Sequence, residues 1–241
     1  MAVDAQDAVD IRAVAIDLDG TLADSVGDIH AAVNLLRAEF DGAPLPLEQV
    51  ARMVGYGSDN LVRQVLALDF PEHRVEAMAR AYLGRYLDYY RSVNGRHASL
   101  YPEVVAGLET MRAHGLRLAC VTNKNHDLAE GLLRHFALRD HFEVVYGGDS
   151  LAARKPDPLP LLRVCADFGI APAQLVMIGD SRTDARTGRA AGSRVLVVPY
   201  GYNHGEPVQS LDSDGIVSTL LDAARRIISG NLRAANPSLP S

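Results

Sequence analysis

Short apolar runs alternate with segments of helical period along most of this chain, and that alternation limits the fold more than any other feature. The runs at 13–17, 116–121, 143–146, 175–179 and 194–198 read as buried strands. Helix patterns at about 103–114, 127–137, 158–169, 183–192 and 215–229 lie between and after them. Short strands joined through helices of this size predict an α/β protein with a parallel sheet covered on both faces. Sheets of that kind place ligands at the carboxyl ends of their strands. Asp17, Thr122 and Asp180 all fall at or just past such ends.

The segment 24–95 breaks the rhythm. Val26, Ile29, Val33, Leu36 and Phe40 recur every three or four residues, which is one face of a helix. A stretch at 47–54 and a Gly55-Tyr56-Gly57 break follow, then a second helix with Ser58 as its expected N-cap. Pro71 opens a third, long pattern through Val75, Met78, Tyr82, Tyr86 and Tyr89. No strand signal interrupts it, so an all-helical module is expected after the first strand. The expected division is 1–23 with 96–241 as one core and 24–95 as the insertion.

The 241 residues suffice for a core plus one smaller unit. Nearly half the residues are apolar and 22% are charged, the balance of a soluble globular enzyme. A net charge of -6 speaks against general nucleic-acid binding. No apolar run reaches the roughly 18–20 residues that a membrane span needs, and residues 1–10 lack the basic start and apolar stretch of a signal peptide. Cys120 and Cys165 sit in apolar surroundings, as reduced thiols of a cytoplasmic protein would. Both ends, 1–10 and 231–241, are expected to be loose.

Four strand-end pieces carry chemistry. Asp17 and Asp19 close the first apolar run, where buried acids are costly unless they meet a cation or a reaction. One carboxylate can attack phosphorus and form an acyl phosphate; the other can protonate the leaving oxygen and then activate water. Taken alone, Asp-x-Asp-Gly is also an ordinary solvated turn. Thr122-Asn123-Lys124 follows the next strand, where a hydroxyl and backbone N–H groups can hold phosphate oxygens, or simply lead into a helix. Lys155-Pro156-Asp157-Pro158 offers a lysine that can neutralise a phosphoryl group, or a solvated lysine before a proline-led helix. Gly179-Asp180-Ser181-Arg182-Thr183-Asp184 places Asp180 as Asp17 is placed. Such an oxygen-rich set suits Mg²⁺. Asp184 can complement a helix dipole, orient Lys155 or a metal-bound water, or bind the metal directly. Each piece is weak alone; their order along the chain makes the set strong.

These four pieces resemble the four motifs of the haloacid dehalogenase superfamily. The resemblance spans about 12–229. It implies a Rossmann-like parallel sheet core with a helical cap inserted after the first motif. It makes Asp17 the nucleophile and Asp19 the general acid/base, and it assigns Mg²⁺ to Asp17, the backbone carbonyl of Asp19 and Asp180. Thr122 and Lys155 would bind the phosphoryl group, and Asn123 is a further expected substrate-binding residue. Within the superfamily the chain is most similar to bacterial phosphoglycolate phosphatases. The runs Val121-Thr122-Asn123-Lys124, Tyr146-Gly147-Gly148-Asp149-Ser150 and Pro199-Tyr200-Gly201-Tyr202 carry that likeness, with the cap loop Val54-Gly55-Tyr56-Gly57. By that likeness Gly57 lies over the substrate. Arg63 could reach a substrate carboxylate or could be a solvated helix residue. The loop 200–205 could approach the site, and His204 could be a contact or a surface histidine.

Some relatives fit less well. Dehalogenases lack the second acid present here as Asp19. Phosphonoacetaldehyde hydrolases use a cap lysine, and 24–95 contains no lysine. Mutases of the family usually carry an acid next to the last aspartate, where this chain has Gly179. The expected activity is hydrolysis of 2-phosphoglycolate, with another small phosphomonoester or a mutase reaction on a sugar phosphate as alternatives. The expected partner is a small phosphorylated metabolite, without nucleic acid or membrane, acted on by a monomer or homodimer.

Overall fold

The computed structural model describes residues 10–232, except for the side chain of His204. The expectation for His204, and most of those for the termini, lie outside the described residues. Leu232, placed in the expected loose tail, is instead buried in the main core.

The chain opens with β1 (Ala13–Ile16) and β2 (Ala23–Asp24), then runs through α1 (Val26–Ala38), α2 (Leu47–Ala51), α3 (Ser58–Leu66) and α4 (Glu72–Val93). It returns through β3 (Ser99–Leu100), α5 (Val104–Ala113), β4 (Arg117–Val121), α6 (His126–His135) and β5 (Val144–Tyr146). The last part holds α7 (Leu159–Phe168), β6 (Leu175–Gly179), α8 (Arg182–Ala191), β7 (Arg194–Val197), β8 (Gly215–Ile216) and α9 (Leu220–Ile228). Six strands pair in the order β5-β4-β1-β6-β7-β8, every pair parallel. The α/β class with a parallel core and a helical insertion is the one expected.

Alternation along the strands builds the core. Val14, Ile16, Leu118, Cys120, Val176 and Ile178 pack on one face with α5, α6 and α9. Ala13, Ala15, Ala119, Val121, Leu175 and Met177 pack on the other, mainly with α7. The central strand is thus buried on both faces, which explains its continuous apolar run. Its neighbours are β4 and β6, with Ile16 opposite Cys120 and Ile178. That register brings the ends carrying Asp17, Thr122 and Asp180 side by side.

Helices α1–α4 gather around Ile29, Val33, Leu36, Val62, Val65, Tyr86 and Tyr90. Their packing follows the apolar stripes, with one drift. At 3.6 residues per turn the stripe of α4 passes from Tyr86 to Tyr90, and the Tyr89 hydroxyl instead donates to Glu39 at 2.7 Å. Buried Asp28 closes the segment: its carboxylate accepts from the Gly95 N–H at 2.6 Å and the His97 N–H at 2.7 Å.

Three local expectations change. Gly57, not Ser58, caps α3, with φ +91°, a conformation that L side chains avoid. A Cβ there would also meet Arg154 at 2.9 Å. The helix pattern at 215–229 splits into β8 and α9, because Thr219 caps the helix by accepting from the Asp222 N–H at 3.1 Å. Strands β2 and β3 form a two-residue antiparallel pair, too short for any periodic signal, so Asp24 belongs to a strand rather than to a helix.

Candidate active site

The chain after β1 turns back immediately. The Leu18 carbonyl accepts from the N–H groups of Leu22 and Ala23, both at 3.0 Å, and Gly20 takes φ +85°. A Cβ on Gly20 would lie 2.5 Å from Asp180 Oδ2, so the turn needs glycine for conformation and for space. Leu18 and Leu22 sink into the core, while Asp17 and Asp19 line a cavity of about 50 Å³.

Each of these acids is held by one oxygen only. Asp17 Oδ1 accepts from the Leu18 N–H at 2.7 Å and pairs with Lys155 Nζ at 2.9 Å. Asp19 Oδ1 accepts from Ser25 Oγ at 2.5 Å and from Lys124 Nζ at 2.9 Å. Neither Oδ2 has a hydrogen-bond partner among the described residues, which leaves both open to a substrate or a cation.

Asp180 is 3% exposed, accepting from Thr21 Oγ1 at 3.1 Å and from the Tyr202 N–H at 2.8 Å. Asp184, wholly buried, has both oxygens engaged: Oδ1 with Lys155 Nζ at 2.6 Å, Oδ2 with the Ser181 hydroxyl at 2.6 Å and its N–H at 3.1 Å. Lys155 therefore bridges Asp17 and Asp184. Burial opposes its charge, and those two carboxylates outweigh burial and raise its pKa. Burial also raises Asp17 well above the usual carboxylate range, with Asp184 and Asp180 adding and Lys155 opposing. The same causes, burial and then Asp184, push Asp180 up to about 7. Oxygens of Asp17, Asp180 and Asp184 lie within 4.8 Å of one another. A cluster of this kind could hold a hard divalent cation.

Thr122 and Asn123 line the cavity. Thr122 Oγ1 accepts from the Lys124 N–H at 3.2 Å. Asn123 Nδ2 reaches the Gly55 carbonyl at 2.9 Å and the Lys155 carbonyl at 2.8 Å, tying the loop before α3 to the loop before α7. Its Oδ1 is buried without a partner among the described residues. Gly57 lines the same cavity; Arg63 does not. The Arg63 guanidinium pairs with Glu76 and borders a neighbouring groove with Tyr56, Asp59 and Arg154.

Four side chains join the site that strand-end reasoning did not single out. Ser25 and Lys124 hold Asp19. Tyr90 accepts a hydrogen bond from Lys124 Nζ and places its ring centroid 4.2 Å from it. Tyr202 brings the expected loop to the site: its hydroxyl accepts from the Ser25 and Val26 N–H groups at 2.8 and 3.0 Å and donates to Asp24 at 2.9 Å. Lys124 lies inside one of the four strand-end pieces, but its partner on α4 has no local signal.

The arrangement can perform nucleophilic displacement at a phosphoryl centre, with Asp17, Asp19 and Lys124 lining one small cavity and Lys155 paired to Asp17 behind it. The family model described as haloacid dehalogenase-like hydrolase matches residues 14–198. The chain is 43% identical over 215 residues to a phosphoglycolate phosphatase of Thiobacillus denitrificans, covering 89% of this chain and 94% of that one. It is 43% identical over 217 residues to a phosphoglycolate phosphatase of Nitrosospira multiformis, covering 90% and 96%. A crystal structure described as a predicted phosphoglycolate phosphatase from Haemophilus somnus matches with a TM-score of 0.83 at 28% identity, covering 89% and 97%. On the span of these matches and the geometry they enclose, the chain belongs to the haloacid dehalogenase-like hydrolase family.

Proposed function

We propose that this phosphatase hydrolyses 2-phosphoglycolate to glycolate and phosphate, with Asp17 as nucleophile and Asp19 as general acid and base. The observation that carries the reading is the paired arrangement of the two acids, each anchored through Oδ1 and open at Oδ2. Asp17 attacks phosphorus in line, and an acyl phosphate forms as the bond to the glycolate oxygen breaks. That oxygen takes the proton from Asp19. Asp19 then removes a proton from water as the water attacks phosphorus, which frees phosphate and restores the Asp17 carboxylate. Thr122 and Asn123 border the transferring group, and Lys155 keeps one N–H free among the described residues for a phosphoryl oxygen. Asp184 acts through Lys155, since both of its own oxygens are occupied.

Mg²⁺ fits the acidic cluster. Asp17 and Asp180 are crowded by each other and by Asp184, and a divalent cation between them would offset that crowding. Asp17, the backbone carbonyl of Asp19 and Asp180 are the residues that would hold it. Bound there, it would supply charge neutralisation at the phosphoryl oxygens.

Residues 24–95 act in this reading as a cap. Gly57, Ser58, Leu61, Tyr86 and Tyr90 from this segment line the cavity together with Asp17. A volume of about 50 Å³ is only three to five times the roughly 10–15 Å³ needed by one water. That favours a compact ester over a nucleotide.

Phosphate release with and without Mg²⁺ from 2-phosphoglycolate, sugar phosphates and nucleotides tests the assignment. The expected result is Mg²⁺-dependent release, with 2-phosphoglycolate ahead by about tenfold or more in kcat/KM. A sugar phosphate or nucleotide in the lead would overturn the substrate, and an active Asp17→Asn enzyme would overturn the mechanism.

A further inference from the structure

The sequence contains two lysines, Lys124 and Lys155, and both are in the site. Their side chains are 1% and 2% exposed. A buried ammonium is costly unless its charge is used or compensated, and in a chain that otherwise uses arginine for its cations the two positions stand apart. They are arranged alike. Lys155 bridges from Asp17 to Asp184, and Lys124 bridges from Asp19 to the Tyr90 hydroxyl and ring. An ammonium has three N–H donors. Lys124 uses two among the described residues and keeps one.

The purpose of that free donor rests on the 2-phosphoglycolate reading. Asp19 must come within about 2.6–3.2 Å of the ester oxygen to deliver its proton. In this substrate the carboxylate carbon stands two bonds from that oxygen. A cation hydrogen-bonded to Asp19 therefore sits beside the carboxylate, while the cation hydrogen-bonded to Asp17 sits beside the phosphoryl group. Among the described residues no other cation borders the cavity. Arg63 is paired with Glu76, and Arg154 with Asp59 through two bonds of 2.6 and 3.1 Å. A carboxylate entering without Lys124 would meet Asp19, two tyrosines, the neutral polar side chains of Ser58, Thr122 and Asn123 and the apolar side chains of Ile29, Met53, Val54 and Leu61, with no positive charge among them.

We propose that Lys124 is the specificity residue for the substrate's carboxylate, with Tyr90 fixing its position from the cap. The site would then select small esters that carry a carboxylate next to the phosphorylated carbon. Because Tyr90 belongs to α4, the same contact makes the carboxylate end sensitive to where the cap lies.

The test compares 2-phosphoglycolate with ethyl phosphate, which replaces the carboxylate by a methyl group on the same two-carbon frame. The wild type should prefer 2-phosphoglycolate in kcat/KM. K124M should reduce that preference at least tenfold, beyond any loss common to both substrates through Asp19, and K124R should retain most of it. A wild type with the preference and a K124M enzyme that keeps it overturn the role of Lys124 alone. Equal losses on both substrates in K124M also overturn it, leaving Lys124 as a support for Asp19. A wild type without the preference overturns the substrate reading and this inference together. Should K124M fail to fold, protein labelled with ¹³C-lysine gives two Cε signals, assigned with K124R. Phosphonoacetate should shift the Lys124 signal and ethylphosphonate should not; equal responses overturn the proposal.

Discussion

Asp17 and Asp180 stand in the site with their carboxyl groups pushed toward the neutral form by burial and by crowding with Asp184. A neutral residue at 17 relieves that crowding. Asp17→Asn should therefore abolish turnover, by about 10⁴-fold or more, while the metal-free protein melts no lower than the wild type. Phosphate release and a thermal melt on the same sample check both halves. The raised Asp180 pKa also predicts how stability depends on pH. Between the ordinary value of 3.8 and about 7 the folded state holds a proton that the unfolded state has released. Stability of the metal-free protein should therefore fall as pH rises through that window, by at most about 1.4 kcal/mol per pH unit from this group. Divalent metal competes with that proton, so the rise in melting temperature on adding Mg²⁺ should be larger at pH 8 than at pH 5. A rise independent of pH would remove Asp180 from the ligand set. Asp17, Thr122, Lys155 and Asp180 were legible in the sequence because each follows an apolar run or opens a proline-led helix, and such signals are local. The supports Ser25, Tyr90 and Tyr202 were not, because nothing near them in the chain marks a partner up to 178 residues away.

Among the elements, α1 and the end of the helical segment are joined by one side chain. Asp28 accepts two backbone N–H groups where the chain leaves α4 for β3. Replacing it by alanine strands both donors, and Asp28→Ala should cost roughly 2–4 kcal/mol. Urea unfolding followed by helix content would read the loss; a change below about 0.5 kcal/mol would show that water replaces the carboxylate. The helices themselves were largely legible, since α1, α3 and α4 follow apolar stripes that neighbouring residues dictate. The start of α3 was not: Ser58 reads as a cap from its type, yet its hydroxyl is bonded to Asn125 at 2.7 Å, and the positive φ required at Gly57 takes the cap position instead. Strands β2 and β3 were invisible for a related reason. Two residues hold no period, and their pairing depends on what the fold brings together.

For the whole molecule, Arg154 and Asp59 join the loop ahead of Lys155 to α3. Burial opposes the charge on Asp59, and the hydrogen bond and charge of Arg154 outweigh it, holding the carboxyl below its usual range. Both side chains are more than a third exposed, so the pair should contribute only about 0.2–1 kcal/mol. Arg154→Met should accordingly raise KM for 2-phosphoglycolate by about 1.5–5-fold, and high salt should shrink the difference between variant and wild type. Steady-state kinetics at low and high salt check this; an unchanged KM would mean that the pair does not hold the two parts together. The described residues contain no helix long and apolar enough to cross a membrane. By itself the sequence determined the α/β class, the helical insertion and the order of the strand-end acids, because hydrophobic period and strand termination are set by residues adjacent in the chain. Only the tertiary structure decided which oxygen of Asp17 and Asp19 stays open, that Asp184 is spent on Lys155 and Ser181, that Arg63 is turned to Glu76, and that Lys124 meets Asp19 across 105 residues and Tyr90 across 34. Those facts depend on distances in space between groups distant in sequence, and close packing of the helices against the sheet sets them.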